Sequence, residues 1–235
     1  MRQHGRVQKF DSSRAAEYEE QSRIALAGYD ACHELTACLL RVALGAGSQR
    51  RLLIAGAGGP AKEITLLGER EAGWTFTAVD PSSPMMEIAR SRIRHADMND
   101  RVEFCEGYVH DLPENNMFDG ATLIGVLHHL PGESAKIDLL ASIAKRLRTG
   151  APFVLAGNCL AYADHPLFLG AWAERWRSQG VAEAEVHAKL GRILEGADPP
   201  KSENEILELL DQTGFERPQR FFSSLFWGAW IAFKK

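Results

Sequence analysis

A glycine cluster directly after an apolar run constrains the fold of this chain more than any other sequence feature. Residues 51–55 read Arg-Leu-Leu-Ile-Ala, the composition of a buried parallel strand, and Gly56, Gly58 and Gly59 follow at once. Because glycine accepts backbone conformations that other residues avoid, these positions let the chain turn sharply and lie close to a ligand. Pro60 fits the first turn of a helix, where its missing N–H leaves nothing unpaired. The stretch therefore predicts a strand, a nucleotide-binding turn and a helix.

The second predicted strand, residues 74–80, ends in the carboxylate of Asp80. A carboxylate at this end of a second strand can accept hydrogen bonds from both hydroxyl groups of a ribose. The alternative is that Asp80 is a turn residue that caps the helix expected near Pro84, because the sequence Asp-Pro-Ser-Ser-Pro is also typical of turns. The glycine turn upstream favours the ribose role, with Pro81 beside it.

Composition is that of an ordinary globular protein. The chain has 235 residues, of which 45% are hydrophobic and 25% charged, so one α/β domain over residues 1–235 with an insertion is the simplest organisation. A formal net charge of −4 argues against a broad nucleic-acid surface, since phosphate contacts need clustered Lys and Arg. A local basic patch, and one formed only in a homodimer, stay open.

The four cysteines indicate neither a metal site nor a disulfide framework, because none of them forms a Cys-x-x-Cys pair. Buried thiols in a reducing cytoplasm are the expected state. The amino terminus lacks the apolar segment of a signal peptide, and no run approaches the ~18 apolar residues of a membrane span. We expect a soluble cytoplasmic protein that has no membrane partner and binds no metal.

Strands and helices alternate after a helical lead-in over residues 11–45, which predicts a Rossmann-like, doubly wound, mostly parallel sheet. Two helical patterns over residues 158–200 interrupt the alternation and predict an inserted cap. Their Trp and Leu stripe favours a packing face over a substrate cage. Two final strands predict an antiparallel hairpin at the sheet edge. The expected helices cover 60–71, 84–96 with Ser83 as its cap, and 134–148, followed by one that begins at the capping box Ser202–Glu205 and stops at Gly214; the expected strands cover 51–55, 74–80, 101–107, 117–127, 151–157, 215–222 and 225–233.

Two further groups of side chains are candidates for the site. His128 and His129 follow the apolar fourth strand, and adjacent histidines point in different directions, so they do not readily chelate one metal. In the lead-in, Tyr18, Arg23 and Tyr29 stand where the lip of the site is expected, although packing roles are equally consistent with their positions.

The whole order resembles the class I S-adenosylmethionine-dependent methyltransferases: a helical lead-in, a glycine turn, a second strand that ends in Asp, Phe-Asp before the fourth strand, Leu-His-His-Leu, and a terminal hairpin. Within that superfamily, Phe10 to Tyr29 and the ending Phe221 to Gly228 look distantly like the transferases that finish a wobble-uridine oxyacetate in tRNA, and like small-molecule relatives. The resemblance implies a seven-stranded sheet and S-adenosyl-L-methionine as the cofactor.

The resemblance also implies site roles, residue by residue. Gly56, Ala57 and Gly58 would pass the methionine part of the cofactor, and Asp80 would hold the ribose. Tyr108 and Val109 would flank the adenine, Gly125 would lie beneath the sulfonium, and Tyr18 or Tyr29 would contact the cofactor's carboxylate or its sulfonium cation.

Three positions depart from the family pattern. Ile54 stands where the first strand usually carries an acid, Pro60 replaces the last glycine of the turn, and Tyr108 replaces a common adenine-binding Asp. Asp111 is a substitute for that last residue. These departures concern recognition of the adenine and of the amino group.

The expected function is methyl transfer to a small-molecule acceptor, for which position matters most because the sulfonium already activates the methyl group. An oxygen nucleophile would also need a base, and His128 or His129 is the candidate. The alternatives are a tRNA-modifying methyltransferase, an NAD(P)-dependent oxidoreductase and a non-catalytic adenosine-binding protein. The spacing of Gly56, Gly58 and Ala61 supports the oxidoreductase, whereas no tyrosine has a lysine four residues later.

Overall fold

A computed structural model of the chain describes residues 22–114 and 117–235. Strands and helices alternate up to the fifth strand, as the sequence predicts, and the seven strands and seven helices named below follow a helical stretch at residues 22–25. The helices are α1 (Tyr29–Leu44), α2 (Lys62–Arg70), α3 (Ser83–His95), α4 (Gly132–Ala144), α5 (Pro166–Ser178), α6 (Glu183–Gly196) and α7 (Glu203–Gln212). The strands are β1 (Arg50–Ala55), β2 (Trp74–Asp80), β3 (Val102–Glu106), β4 (Gly120–Ile124), β5 (Pro152–Asn158), β6 (Phe215–Ser224) and β7 (Trp227–Lys234).

The strands form one sheet in the order β3-β2-β1-β4-β5-β7-β6. The first five are parallel, and β7 pairs antiparallel with both β5 and β6. The strand order reverses between β1 and β4, and ligands of open α/β sheets bind at the carboxyl ends of the strands beside such a reversal. The predicted seven-stranded, mostly parallel sheet with its antiparallel hairpin is thus confirmed.

Each face of the sheet has its own apolar layer. One layer packs the sheet against α1, α2 and α3 around Ile54, Leu67 and Phe76, and the other packs it against α4 and α7 around Leu123 and Leu140. A third cluster joins the two inserted helices to the tip of the β6–β7 hairpin. Its buried members are Tyr162, Trp172, Ala173, Trp176, Val186 and Phe226. The Trp stripe of the insertion is therefore a packing face, as predicted.

Several predicted boundaries are wrong for local reasons. Pro60 does not enter a helix, because Ala61 adopts a left-handed conformation with φ 48° and α2 begins only at Lys62. Ser82, not Ser83, stands before α3, and Pro84 lies within its first turn. The fourth strand is shorter than 117–127, since residues 127–129 form a 3-10 turn.

Two later elements also differ. Helix α4 begins at Gly132 and ends at Ala144, so Ser134 does not cap it. The hairpin turns at Leu225 and Phe226, where Leu225 has a φ of 51°, and residues 223 and 224 continue β6. At α7, Ser202 accepts the backbone N–H of Glu205 as a cap does, whereas the Glu205 carboxylate accepts the N–H of Lys201. In the part of the chain that is described, no helix is long and apolar enough to cross a bilayer.

Candidate cofactor and methyl-transfer site

The glycine turn lies at the carboxyl end of β1 and is held against β2. The backbone N–H groups of Gly56 and Ala57 both donate to the carbonyl of Val79, at 2.8 and 3.1 Å. Gly56 has a φ of 71°, and a Cβ there would lie 2.2 Å from Cγ2 of Val126. A glycine is therefore required by both the backbone conformation and the neighbouring side chain of Val126.

The carboxylate of Asp80 packs directly against the backbone of Gly58. The N–H of Gly58 donates to Oδ2 of Asp80 at 3.0 Å, and the N–H of Ser82 donates to Oδ1 at 2.9 Å. A Cβ on Gly58 would lie 2.8 Å from the same Oδ2 and 2.5 Å from Cβ of Met85. Burial raises the pKa of Asp80, and these two N–H donors oppose that rise. The carboxylate is thus fixed at the end of β2 beside the glycine turn.

The loop after β3 closes on itself. The N–H of Gly107 donates to the carbonyl of Asp80, and Oδ2 of Asp111 accepts the N–H of Tyr108 at 2.8 Å. The rings of Tyr108 and His110 stack with centroids 5.3 Å apart, and Val109 is buried. Asp111 is exposed and caps its own 3-10 turn. The loop therefore lies next to Asp80, and one oxygen of Asp111 already accepts a hydrogen bond within the loop.

The fourth strand ends in a turn that carries the two histidines. Gly125 has a φ of 75° and donates its N–H to the carbonyl of Ala156 on β5. His128 is buried, and its Nδ1 lies 3.4 Å from the backbone N of Asn158, which donates to it. The ring of His129 is 4.2 Å from that of His128 and is less buried. The histidines thus lie between the ends of β4 and β5.

An aromatic side chain packs beside the histidines at this edge of the sheet. The ring of Trp227 meets that of His128 edge-on at 5.7 Å, and Asn158 pairs with Trp227 across β5 and β7. The Nδ2 of Asn158 donates to the hydroxyl of Tyr162 at 2.7 Å, while its Oδ1 is buried without a hydrogen-bond partner in the described residues. Asn158 and Tyr162 were not predicted, because they adjoin the histidines only through strand pairing.

The lead-in supplies a charged group at the start of α1. Tyr29 is buried, and the guanidinium of Arg23 lies 5.0 Å above its ring. Asp30 pairs with Arg23 and with Nζ of Lys62, the latter at 3.4 Å. Tyr18 lies outside the described residues, and Pro81 is exposed beside Asp80.

Two surface cavities lie away from this edge of the sheet. One of about 220 Å³ is lined by Arg51, Thr75 and Glu103 among others, and one of about 360 Å³ lies at the end of α1 near Val42. Both are at the amino-terminal edge of the parallel strands, so they contain none of the site residues predicted from the sequence.

Comparison with known proteins agrees with the fold. Residues 54–150 match the family described as "Methyltransferase domain". No curated protein matches the chain. The solved structure of the pyocyanin biosynthetic protein PhzM superposes with a TM-score of 0.66 at 14% identity, covering 97% of this chain and 62% of that one.

Two further structures are similar. An O-methyltransferase family 2 protein from Planctomyces limnophilus DSM 3776, in complex with apigenin, has a TM-score of 0.61 at 16% identity over 85% of this chain and 57% of its own. The mitomycin 7-O-methyltransferase MmcR has a TM-score of 0.58 at 15% identity over 86% and 54%. In eight of the similar structures, this chain spans between 53% and 66% of the length of the matched chain. Residues 54–150 are thus similar to a methyltransferase-domain family, and the chain shares the mostly parallel, Rossmann-like sheet of these solved structures.

Proposed function

We propose that this protein is an S-adenosylmethionine-dependent methyltransferase that methylates a small molecule. The observation that carries the proposal is the contact between Asp80 and Gly58, in which the carboxylate at the end of β2 is fixed against the glycine turn after β1. The sheet order supports it, because a dinucleotide-binding oxidoreductase of the common type has a sixth parallel strand where this chain has the antiparallel β7.

The described residues fit the cofactor. Each oxygen of Asp80 accepts one backbone N–H, and a carboxylate oxygen has capacity for a second donor, so both ribose hydroxyls can bind there. A Cβ at Gly58 would collide with Met85 and Asp80, so only glycine lets the turn lie this close to the carboxylate of Asp80. Tyr108 and Val109 are the residues we assign to the adenine, and Tyr29 to the methionine end.

When bound, the cofactor supplies an electrophilic methyl group on a sulfonium. The task of the protein is then to hold the acceptor in line with that methyl group and to keep water away. Gly125 and Val126 form the floor between β1 and β4, and the buried ring of His128 closes the side towards β5. Trp227, which is only partly buried beside His128, offers a flat apolar surface to an acceptor.

The two histidines take different roles in this proposal. Nδ1 of His128 accepts the N–H of Asn158, so the neutral ring carries its proton on Nε2 and can donate but not accept there. A ring in that tautomer suits a hydrogen-bond donor rather than a base. We therefore assign the proton-accepting role for an oxygen acceptor to His129, whose ring lies beside it.

A small-molecule acceptor is favoured by the aromatic wall and by the overall charge of −4. The names of PhzM and MmcR refer to pyocyanin biosynthesis and to mitomycin, which are small molecules. The four cysteines are unpaired, which supports the cytoplasm as the location.

Calorimetric titration tests the proposal directly. We expect saturable binding of S-adenosylmethionine and of S-adenosylhomocysteine by the purified protein, and no heat with NADH. Mass spectrometry of the protein as purified would first exclude a cofactor carried through purification. Binding of NADH alone would overturn the proposal. Binding of both sulfur compounds, followed by no product from a broad acceptor screen, would favour a non-catalytic adenosine-binding protein.

A further inference from the structure

The amino-acid end of the proposed cofactor is a zwitterion, and the inference that follows rests on the proposed function. In the family that the chain resembles, an acid in the first strand is usual, but this chain has Ile54, which is buried in the apolar layer beneath α1 and α2. An ammonium group would therefore need another acceptor near the glycine turn. Glu63, in the first turn of α2, is the nearest carboxylate along the chain.

Glu63 is a partly buried acid whose carboxylate faces a histidine. Its side chain is 12% exposed, and Nε2 of His33 on α1 lies 3.8 Å from its Oε1. That distance is too long for a hydrogen bond. In residues 22–114 and 117–235 no hydrogen bond reaches this carboxylate.

The tautomer of His33 places a second hydrogen-bond acceptor opposite the carboxylate of Glu63. Nδ1 of His33 lies 2.9 Å from the carbonyl oxygen of Tyr29, and a carbonyl only accepts, so Nδ1 carries the proton. The neutral ring then presents a lone pair at Nε2 towards Oε1 of Glu63. Two acceptors 3.8 Å apart face each other. A donor with more than one N–H between them would satisfy both, and an ammonium group has three.

Charges of the opposite sign stand next to this pair. Lys62 precedes Glu63, and its Nζ lies 3.4 Å from Asp30, which also pairs with Arg23. Cationic side chains are suitable partners for a carboxylate. The junction of α1 with the start of α2 thus offers both an acceptor pair and cations within a few residues of the glycine turn.

We propose that Glu63 and His33 together bind the α-ammonium group of the cofactor, in place of the acid that β1 lacks. The residues act by binding and not in the chemical step. The alternative is that His33 is protonated and forms an ion pair with Glu63 that only joins the two helices. The experiment below distinguishes this ion pair from an ammonium-binding site.

The experiment compares two ligands by calorimetry: S-adenosylhomocysteine and its analogue without the amino group, 5′-S-(3-carboxypropyl)-5′-thioadenosine. We expect the wild-type protein to bind the analogue about 10- to 100-fold more weakly, the usual effect of a lost hydrogen bond to a charged group. Glu63→Gln should lose a similar factor for S-adenosylhomocysteine and little or nothing for the analogue. Glu69→Gln, exposed on the same helix, is the matched control and should behave as wild type.

Each other outcome decides against the inference. Equal affinity of Glu63→Gln and wild type for S-adenosylhomocysteine would overturn it while leaving the proposed function intact. Equal losses for both ligands would show that Glu63 is only structural. If the variant does not fold, the wild-type comparison still decides, because equal binding of the two ligands excludes an ammonium site. If wild type binds neither ligand, the proposed function fails as well.

Discussion

Asp80 is an acid that the fold buries at the end of β2 and then holds with two backbone donors. Burial is the larger influence on its pKa, which is raised. The ionised side chain that would bind a ribose is therefore one that the ligand-free protein keeps at some cost in stability. Binding and stability make opposite demands on this residue.

We expect Asp80→Asn to change both the affinity for the ligand and the pH dependence of stability. Affinity for S-adenosylhomocysteine should fall about 10- to 100-fold, because the amide cannot accept from two hydroxyls as the carboxylate does. Since the folded pKa of Asp80 is raised, its stabilising contribution is complete below the unfolded value of about 3.9 and declines as pH rises through the folded value. Urea unfolding from pH 3.5 to 7 should show that the free energy of unfolding of the wild type falls relative to that of the variant as the pH rises.

The exposed Asp100→Asn is the control for that titration, since its difference from wild type should change little. A wild-type advantage over Asp80→Asn that grows with rising pH would contradict the burial argument. Unchanged affinity in Asp80→Asn would remove Asp80 from the proposed ribose site.

The histidines allow a second test between neighbouring residues. With an oxygen acceptor found by screening phenols and other hydroxylated small molecules, His129→Gln should lower kcat by about a hundredfold or more. His128→Gln should lower it less, since His128 is assigned a donor role and Gln also donates. Calorimetry with S-adenosylhomocysteine should give wild-type affinity for both. A larger loss in His128→Gln than in His129→Gln would reverse the assignment.

At the scale of elements, the inserted helix α5 is tied to the lead-in by side chains. Nε1 of Trp172 donates to the carbonyl of Ala25 at 2.8 Å, and the guanidinium of Arg175 donates to the carbonyls of Ile24 and Arg23. One turn later, Nε1 of Trp176 is buried without a hydrogen-bond partner in the described residues. The two indoles are similarly buried but differ in this one bond.

This difference predicts unequal effects of the same substitution. Trp172→Phe should cost about 1 kcal/mol more of unfolding free energy than Trp176→Phe, because it removes the part-buried hydrogen bond from Trp172 to the carbonyl of Ala25. Trp176→Phe removes a buried donor that has no partner, which offsets part of the lost packing. Urea unfolding of both variants measures the difference. Equal costs would mean that the bond to Ala25 contributes nothing measurable.

Elements were largely predictable from sequence because apolar periodicity and glycine punctuation are local signals. The errors fall where one residue adopts an unexpected backbone conformation. Ala61 and Leu225 both have positive φ, and neither is a residue type that signals it, so the start of α2 and the tip of the hairpin were misplaced. The carboxylate at the end of β2 was found because its position follows from the strand itself.

At the scale of the molecule, the pairs that would shape the proposed site join distant parts of the chain. His33 meets Glu63 from another helix, and Asn158 reaches His128 because β5 lies beside β4. Nothing local in the sequence indicates either contact. The sequence therefore indicated His128 and His129 as candidates, but not their tautomers or the residues that they contact. Site residues at strand ends are predictable, whereas those that act through packing are not.

The net charge belongs to the molecule as a whole and bears on the tRNA alternative. With a net charge of −4, we expect no saturable binding of fluorescently labelled tRNA at about 0.15 M salt, measured by anisotropy. A folded surface that gathers enough Lys and Arg would instead give binding that weakens steeply with added salt. That result would restore the tRNA-modifying function as the leading one.

The third apolar cluster, which joins α5 and α6 to Phe226, has a consequence for how the protein opens. Its buried residues are distinct from those of the two layers on the sheet, so the cap can unfold locally while the sheet stays intact. An acceptor could enter and leave by such sub-global opening. Hydrogen–deuterium exchange should then show amides of α5 and α6 exchanging together and well before those of β1 and β4, and S-adenosylhomocysteine should slow exchange near Asp80 more than in the cap.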